Sequence, residues 1–252
     1  MRIRMIGFGR LAQSLIPKWL PHHIIIASSP HITQRSDILC VQDNHLYLDC
    51  DVILLGVKPQ LITQVLADIA PNLTKDSIVV SLAAGITLAT LKTLIPKQAH
   101  VYRAMPNIAA SVGLSATLLY GDKPHTPLHD LFLEIGSVDW VENDKLLDLG
   151  TILAGSGPAY FYYIMQHLQK GIVDLGMPED LAKKILLQTN LGATILAQQS
   201  SQSLQALQAQ VTSPKGTTAA AIAEFEHAQM GDILEKGLEA AWHRILELQQ
   251  NN

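Results

Sequence analysis

Ile6-Gly7-Phe8-Gly9-Arg10-Leu11-Ala12 follows directly on the short apolar run Arg2 to Ile6 and opens a helical pattern. That context gives the G-x-G-x-x-A spacing a physical meaning. The first glycine permits the tight turn out of a strand, and the second lets the backbone approach a pyrophosphate. The third small residue, Ala12, sits where helix meets strand. Backbone N–H groups at the helix start are then free to hold phosphate oxygens, so Gly7, Phe8, Gly9, Arg10, Leu11 and Ala12 are candidate dinucleotide contacts.

Outward from this turn, strand-like runs alternate with helical patterns: Arg2 to Ile6, Ile24 to Ala27, Val52 to Val57, Ile78 to Leu82 and His100 to Arg103. Such alternation predicts an α/β fold with a helix-wound parallel sheet, a Rossmann-type dinucleotide-binding domain. Ser115 to Tyr120 and Val138 to Val141 extend the sheet edge, and a helix from about Leu128 to Ile135 lies between them. The stretch from Pro30 to Asp51 is short, which predicts a stunted second helix. After Asp144 the strand pattern stops and long helical periods take over. The chain is therefore divided into a dinucleotide-binding domain, 1–147, and an all-α domain, 148–252. Pro178-Glu179-Asp180 reads as a helix start running to about Gln199, with the acids at the positive end of the dipole. Leu204 and Leu207 mark a short amphipathic helix. Ile233, Leu234, Leu238, Ala241, Trp242 and Ile245 form one apolar face of the last helix. This much apolar helical surface predicts packing against a second copy.

Where an NAD-selective site carries an acidic residue, at the end of the second strand, this chain has Ser28-Ser29-Pro30. Small hydroxyls accept a 2′-phosphate without repulsion, and Arg10 or Arg35 is placed to pair with it, which favours NADPH over NADH. Val57-Lys58-Pro59 follows a parallel strand at its carboxyl end, where such sheets bind ligands. Ala84 and Gly85, after the next strand, are small enough for a nicotinamide to lie against backbone.

Composition narrows the classes. A chain of 252 residues, 48% hydrophobic and 16% charged with a formal charge of −4, has neither the pattern of a disordered protein nor a basic nucleic-acid footprint. Cys40 and Cys50 match no redox or zinc spacing, which points to a reduced, cytoplasmic setting. Gly7 and Gly9 interrupt any targeting-peptide core. The longest apolar stretch, Ile78 to Leu91, falls short of a membrane span. His125 and His129 lie four apart but lack a third ligand, so no metal is expected.

In order and spacing, Gly7 to Ala12, Ala27 to Pro30, Val57 to Gln60, Ala83 to Gly85, Arg103 to Asn107, Ala154 to Tyr160 and Val211 to Thr218 resemble the pyrroline-5-carboxylate reductases, over nearly the whole chain. The resemblance implies reduction of a cyclic imine to proline by hydride from NAD(P)H. It also implies a C-terminal dimerisation domain, with the active site between one subunit's nucleotide domain and the helical domains of the pair. Ser213, Pro214, Lys215, Gly216, Thr217 and Thr218 match the loop that cradles the substrate carboxylate, and Thr218 matches the hydroxyl nearest the ring nitrogen. Met105, Asn107, Ser156 and Gly157 match further substrate contacts, Asn44 a cofactor contact, and Lys58 a second catalytic position. For Thr217 the plain alternative is a helix cap.

The chain departs from the family pattern at Lys215, where a glycine is usual, at Ala154, where a serine is usual, and at Ile108-Ala109. Lys215 means either that the loop avoids positive φ there or that its geometry shifts. These departures leave open a related imine or small-acid reductase of the same fold, or a catalytically silent NADP-binding regulator.

Overall fold

The computed structural model describes residues 1–30, 32–96 and 99–250. Its first part runs β1 (Arg2–Ile6), α1 (Arg10–Trp19), β2 (Ile24–Ser28), β3 (Leu39–Val41), β4 (Val52–Leu55), α2 (Ile62–Ile69), β5 (Ile78–Ser81), α3 (Leu88–Leu94) and β6 (His100–Met105). It continues with β7 (Ser115–Gly121), α4 (Thr126–Leu133), β8 (Gly136–Trp140) and α5 (Asp144–Gly150). A π-turn, Thr151–Gly155, leads into the helices α6 (Gly157–Asp174), α7 (Glu179–Gln199), α8 (Leu204–Gln210), α9 (Thr217–His227) and α10 (Met230–Gln250).

The strands form one eight-stranded sheet in the order β3-β2-β1-β4-β5-β6-β7-β8. All neighbours are parallel except the antiparallel pair β6 and β7. Both faces are covered, so β4 is buried from end to end and its side chains divide by the two-residue period of a strand. Val52 and Leu54 join Ile3, Met5, Leu15, Trp19 and Phe132 on one side. Ile53 and Leu55 join Ile6, Leu66, Ile69 and Leu91 on the other. The order of connections reverses between β1 and β4, and the open crevice of a wound sheet lies at the carboxyl ends of such a pair.

Three elements differ from the sequence reading. β3 was not anticipated, because three residues carry no period of their own and become a strand only by pairing with β2. No helix lies between β2 and β4 among the described residues. β4 ends at Leu55, leaving Gly56 and Val57 in the turn.

By its contacts the chain divides into two compact units, Met1–Pro158 with the segment from Ala241 onward, and Ala159–Ala240. The expected boundary at 147/148 falls inside α5. Within the second unit, Pro178 is the N-cap of α7, and Glu179 and Asp180 fill its first turn. Large apolar side chains stand exposed along its helices, among them Phe161, Tyr163, Leu187, Leu191 and Leu196. No helix among the described residues is long and apolar enough to cross a membrane.

Candidate active site

The turn after β1 is built as its sequence requires. Gly7 has φ +92°, and a Cβ there would lie 2.5 Å from the backbone nitrogen of Val57. The Gly7 N–H donates to the Ser28 carbonyl at 2.8 Å, and the Gly56 N–H to the Ile6 carbonyl at 2.8 Å, so the ends of β1, β2 and β4 are locked together. Gly9 is the N-cap of α1, with no side chain capping it, and a Cβ at Gly9 would meet nothing within 4 Å. The first N–H groups of α1 have no intrahelical acceptors, and the space that a side chain at Gly9 would take is open. Donors and room for a pyrophosphate are both present. Phe8 and Leu11 pack partly on the core and Ala12 is buried in it, while Arg10 is exposed in the first turn.

At the end of β2 the hydroxyl of Ser28 donates to the side-chain carbonyl of Asn44 at 2.7 Å, joining two of the predicted cofactor residues, and Ser29 beside them is half-buried. Arg35, the other basic side chain the sequence reading offered to a 2′-phosphate, lies exposed on the surface. Its guanidinium holds Asp37 through both carboxylate oxygens, at 2.9 and 2.6 Å. The pair raises the arginine's pKa and lowers that of the carboxyl. Arg10 remains the basic side chain at the phosphate turn.

Val57, Lys58 and Pro59 form the turn after β4. Lys58 is exposed and N-caps a 3₁₀ turn, Pro59–Leu61, with its carbonyl accepting from the Leu61 N–H at 2.9 Å. Ala84 is half-buried, whereas Gly85 is buried in a left-handed conformation, φ +71°. A Cβ at Gly85 would lie 2.8 Å from that of Leu248, so its bare face accommodates the end of α10.

Met105, Asn107, Ser156 and Gly157 are brought together. Asn107 caps the 3₁₀ turn Ile108–Val112 by accepting from the Ala109 N–H at 2.9 Å, and its amide nitrogen donates to the Ala154 carbonyl at 3.1 Å. Buried Met105 lies against Gly155, where a Cβ would sit 3.4 Å from the sulfur. These contacts fix the segment that presents Ser156, whose N–H closes the π-turn onto the Thr151 carbonyl.

In the second unit, Ser213 to Gly216 form a turn closed by the Gly216 N–H on the Ser213 carbonyl at 3.0 Å. Pro214 occupies its second position and Lys215, at φ +62°, its third. That is the pattern of a type II turn, which normally asks for glycine at the third position. The loop thus keeps the positive φ and places lysine in it. Gly216, not Thr217, is the N-cap of α9, and it offers no side-chain cap. Thr217 and Thr218 occupy the first turn, with their N–H groups left for an external acceptor.

Residues 144–248 match the family model for pyrroline-5-carboxylate reductase dimerisation, and residues 2–85 that for NADP oxidoreductase, coenzyme F420-dependent. The pyrroline-5-carboxylate reductase of Pseudomonas aeruginosa is 35% identical over 98% of this chain and 96% of its own length. The chain belongs to the pyrroline-5-carboxylate reductase family. The reductase is 34% identical to that of Pisum sativum, over 96% of this chain and 94% of the relative. A solved pyrroline-5-carboxylate reductase from Coxiella burnetii superimposes with a TM-score of 0.84 at 31% identity, covering 98% of this chain and 97% of that one. The NADP-bound pyrroline carboxylate reductase of Plasmodium falciparum shares the fold, with a TM-score of 0.92 at 23% identity over 99% and 98% of the two chains.

The reductase is an NAD(P)H-dependent oxidoreductase, and the uncapped α1 start beside Gly9 fits the dinucleotide. Two buried features escaped the sequence reading. Arg103, fully buried at β6, holds Asp144 at 2.5 Å and Asp148 at 2.7 Å and fixes the strand that ends in Met105. Arg4, fully buried in β1, reaches the loop that carries Asn44. No local pattern in the sequence signals either. The His125 ring, for its part, accepts from the Leu128 N–H at 3.2 Å and caps α4. Among the described residues no three of His, Cys, Asp and Glu stand where they would hold a metal.

Proposed function

We propose that this reductase converts L-1-pyrroline-5-carboxylate to L-proline, the last step of proline synthesis, with two helix starts as its anion sites. The observation that carries this reading is the pair of uncapped starts, at Gly9 and at Gly216, each opening a helix of a family-matched region. NAD(P)H supplies hydride from its nicotinamide ring. The α1 start holds the pyrophosphate, with Gly7 to Ala12 around it, Val57, Lys58 and Pro59 alongside, and Ala84 and Gly85 toward the nicotinamide. Ser28, Ser29 and Asn44 receive the adenosine end, and the lack of an acidic side chain at Ser28 and Ser29 favours NADPH.

The α9 start, with Ser213 to Thr218, binds the substrate carboxylate through N–H groups, assisted by the Lys215 ammonium. Met105, Asn107, Ser156 and Gly157 line the substrate's place. A protonated cyclic imine is already electrophilic, so the protein's main tasks are orientation and exclusion of water. The Thr218 hydroxyl holds a proton at the ring nitrogen, and Lys58 stabilises negative charge in the crevice. The free thiols of Cys40 and Cys50 suit a cytoplasmic enzyme, and the exposed apolar helix faces of residues 159–240 suit a homodimer.

Oxidation of NADPH on addition of pyrroline-5-carboxylate, with proline as product, tests the reaction. In Thr218→Ala turnover falls about tenfold or more while NADPH affinity holds. Loss of NADPH affinity alone would overturn the role of that loop.

A further inference from the structure

Arginine is a rare choice for the middle of a central parallel strand, where both faces are buried. Arg4 nonetheless sits in β1 with no exposed surface. Ile3 and Met5 turn to one core, and by the alternation of a strand Arg4 turns with Ile6 to the other. On that side the region between β2 and β4 has no described helix to lie over β1. The connection 42–51 passes there instead, with Leu48 packed into the core.

The guanidinium satisfies that connection through main-chain acceptors. Nε donates to the Leu46 carbonyl at 3.0 Å, and Nη2 to the Asp43 carbonyl at 3.1 Å. Nη1 donates to the carbonyls of Met5 and Ile26, at 3.0 and 3.4 Å, within the sheet itself. Burial lowers the pKa to about 10, with Cys50 and Asp43 opposing the shift, so the group stays charged near neutral pH. Its rigid fork bridges strand and loop, which a single ammonium cannot do.

Asn44 lies between the two loop residues whose carbonyls Arg4 holds, and its side-chain carbonyl takes the Ser28 hydroxyl. With that oxygen occupied, the amide NH₂ of Asn44 is the group left to meet an oxygen-rich ligand. We propose that Arg4 is a positioning residue for the adenosine end of the dinucleotide. It replaces a sheet-covering helix by a four-carbonyl clamp and thereby aims Asn44 at the ribose 2′-phosphate. The inference rests on the dinucleotide reading above.

Calorimetric titration with 2′,5′-ADP and, separately, with reduced nicotinamide mononucleotide tests it without any turnover. In Arg4→Lys, 2′,5′-ADP affinity falls about tenfold or more and mononucleotide affinity is unchanged. Asn44→Ala gives a similar loss, and the double variant is no worse than either single one, as expected of residues acting in series. Should Arg4→Lys fail to fold, a glycine inserted between the exposed Leu46 and Tyr47 leaves Arg4 in place and slackens its hold. The same selective loss is expected there. Unchanged 2′,5′-ADP affinity in a folded variant, or equal losses for both probes, would overturn the positioning role and leave the dinucleotide reading standing. If the wild type binds neither probe, the dinucleotide reading itself falls, and the proposal with it.

Discussion

The side-chain amide of Gln249 donates to Asp148 Oδ2 at 2.7 Å, across 101 positions of sequence. Asp148 is fully buried, and its other oxygen takes Arg103. Asp144 shares the same arginine and also accepts the Leu88 N–H at 3.0 Å, so the end of α10, α5, β6 and the start of α3 meet in one network. Loss of the neutral donor in Gln249→Ala lowers stability by about 1 kcal/mol. Asp148→Ala leaves the buried Arg103 with Asp144 as its remaining carboxylate and costs about 3 kcal/mol. Urea unfolding of both variants and of the double variant checks this, with coupling between the two sites as the expected result.

The same network has a pH signature. Burial raises the Asp148 pKa above its ordinary 3.8, outweighing the attraction of Arg103. A carboxyl whose folded pKa exceeds its unfolded value holds its proton more tightly when folded. Its contribution to stability is therefore full below the unfolded value and is lost as pH rises through the folded one. Asp148→Asn cannot titrate. The wild type should lose stability relative to this variant as pH rises from about 4, read as urea midpoints at several pH values. A difference that does not change with pH would overturn the assignment.

Gly7 and Gly9 separate folding from binding. At Gly7 both the positive φ and the contact with Val57 forbid a side chain, so Gly7→Ala destabilises the fold by about 3 kcal/mol. At Gly9 the protein offers no steric obstacle, so Gly9→Ala loses only the N-cap preference of glycine over alanine, about 0.5–1 kcal/mol, well short of the loss at Gly7. The added methyl occupies space needed by the pyrophosphate, and NADPH affinity falls about tenfold or more. Thermal unfolding paired with fluorescence titration distinguishes the two.

Lys215 sets stability against binding. A lysine held at φ +62° carries backbone strain that glycine lacks, partly offset by the greater freedom of glycine in the unfolded chain. Lys215→Gly therefore stabilises by about 0.5–1 kcal/mol. Removal of its ammonium from the carboxylate loop raises KM for pyrroline-5-carboxylate several-fold. Lys215→Asn, which tolerates this backbone and lacks the charge, should raise KM as much.

The phosphate turn was legible because its requirements are local: a tight bend after Ile6, close backbone approach at Gly9 and a small residue at Ala12. The turn at Ser213–Gly216 was half legible. The family resemblance marked it, but whether Lys215 would accept positive φ depended on the hydrogen bond that closes the turn. The pairing of Arg35 with Asp37 was not legible, since a nearby carboxylate in sequence does not say whether the two side chains meet.

Strand period, glycine spacing and helix-start chemistry act within a few residues, and they determined the wound sheet, the helical C-terminal half and the candidate anion site at Gly9, while the one at Gly216 came from the family resemblance of Val211 to Thr218. The tertiary structure decided where buried charge would go. Arg4 and Arg103 look in sequence like any strand-borne arginine, and chain segments arriving from 39 to 45 residues away, Asp43, Leu46, Asp144 and Asp148, complete the sets of oxygens that let each guanidinium leave water.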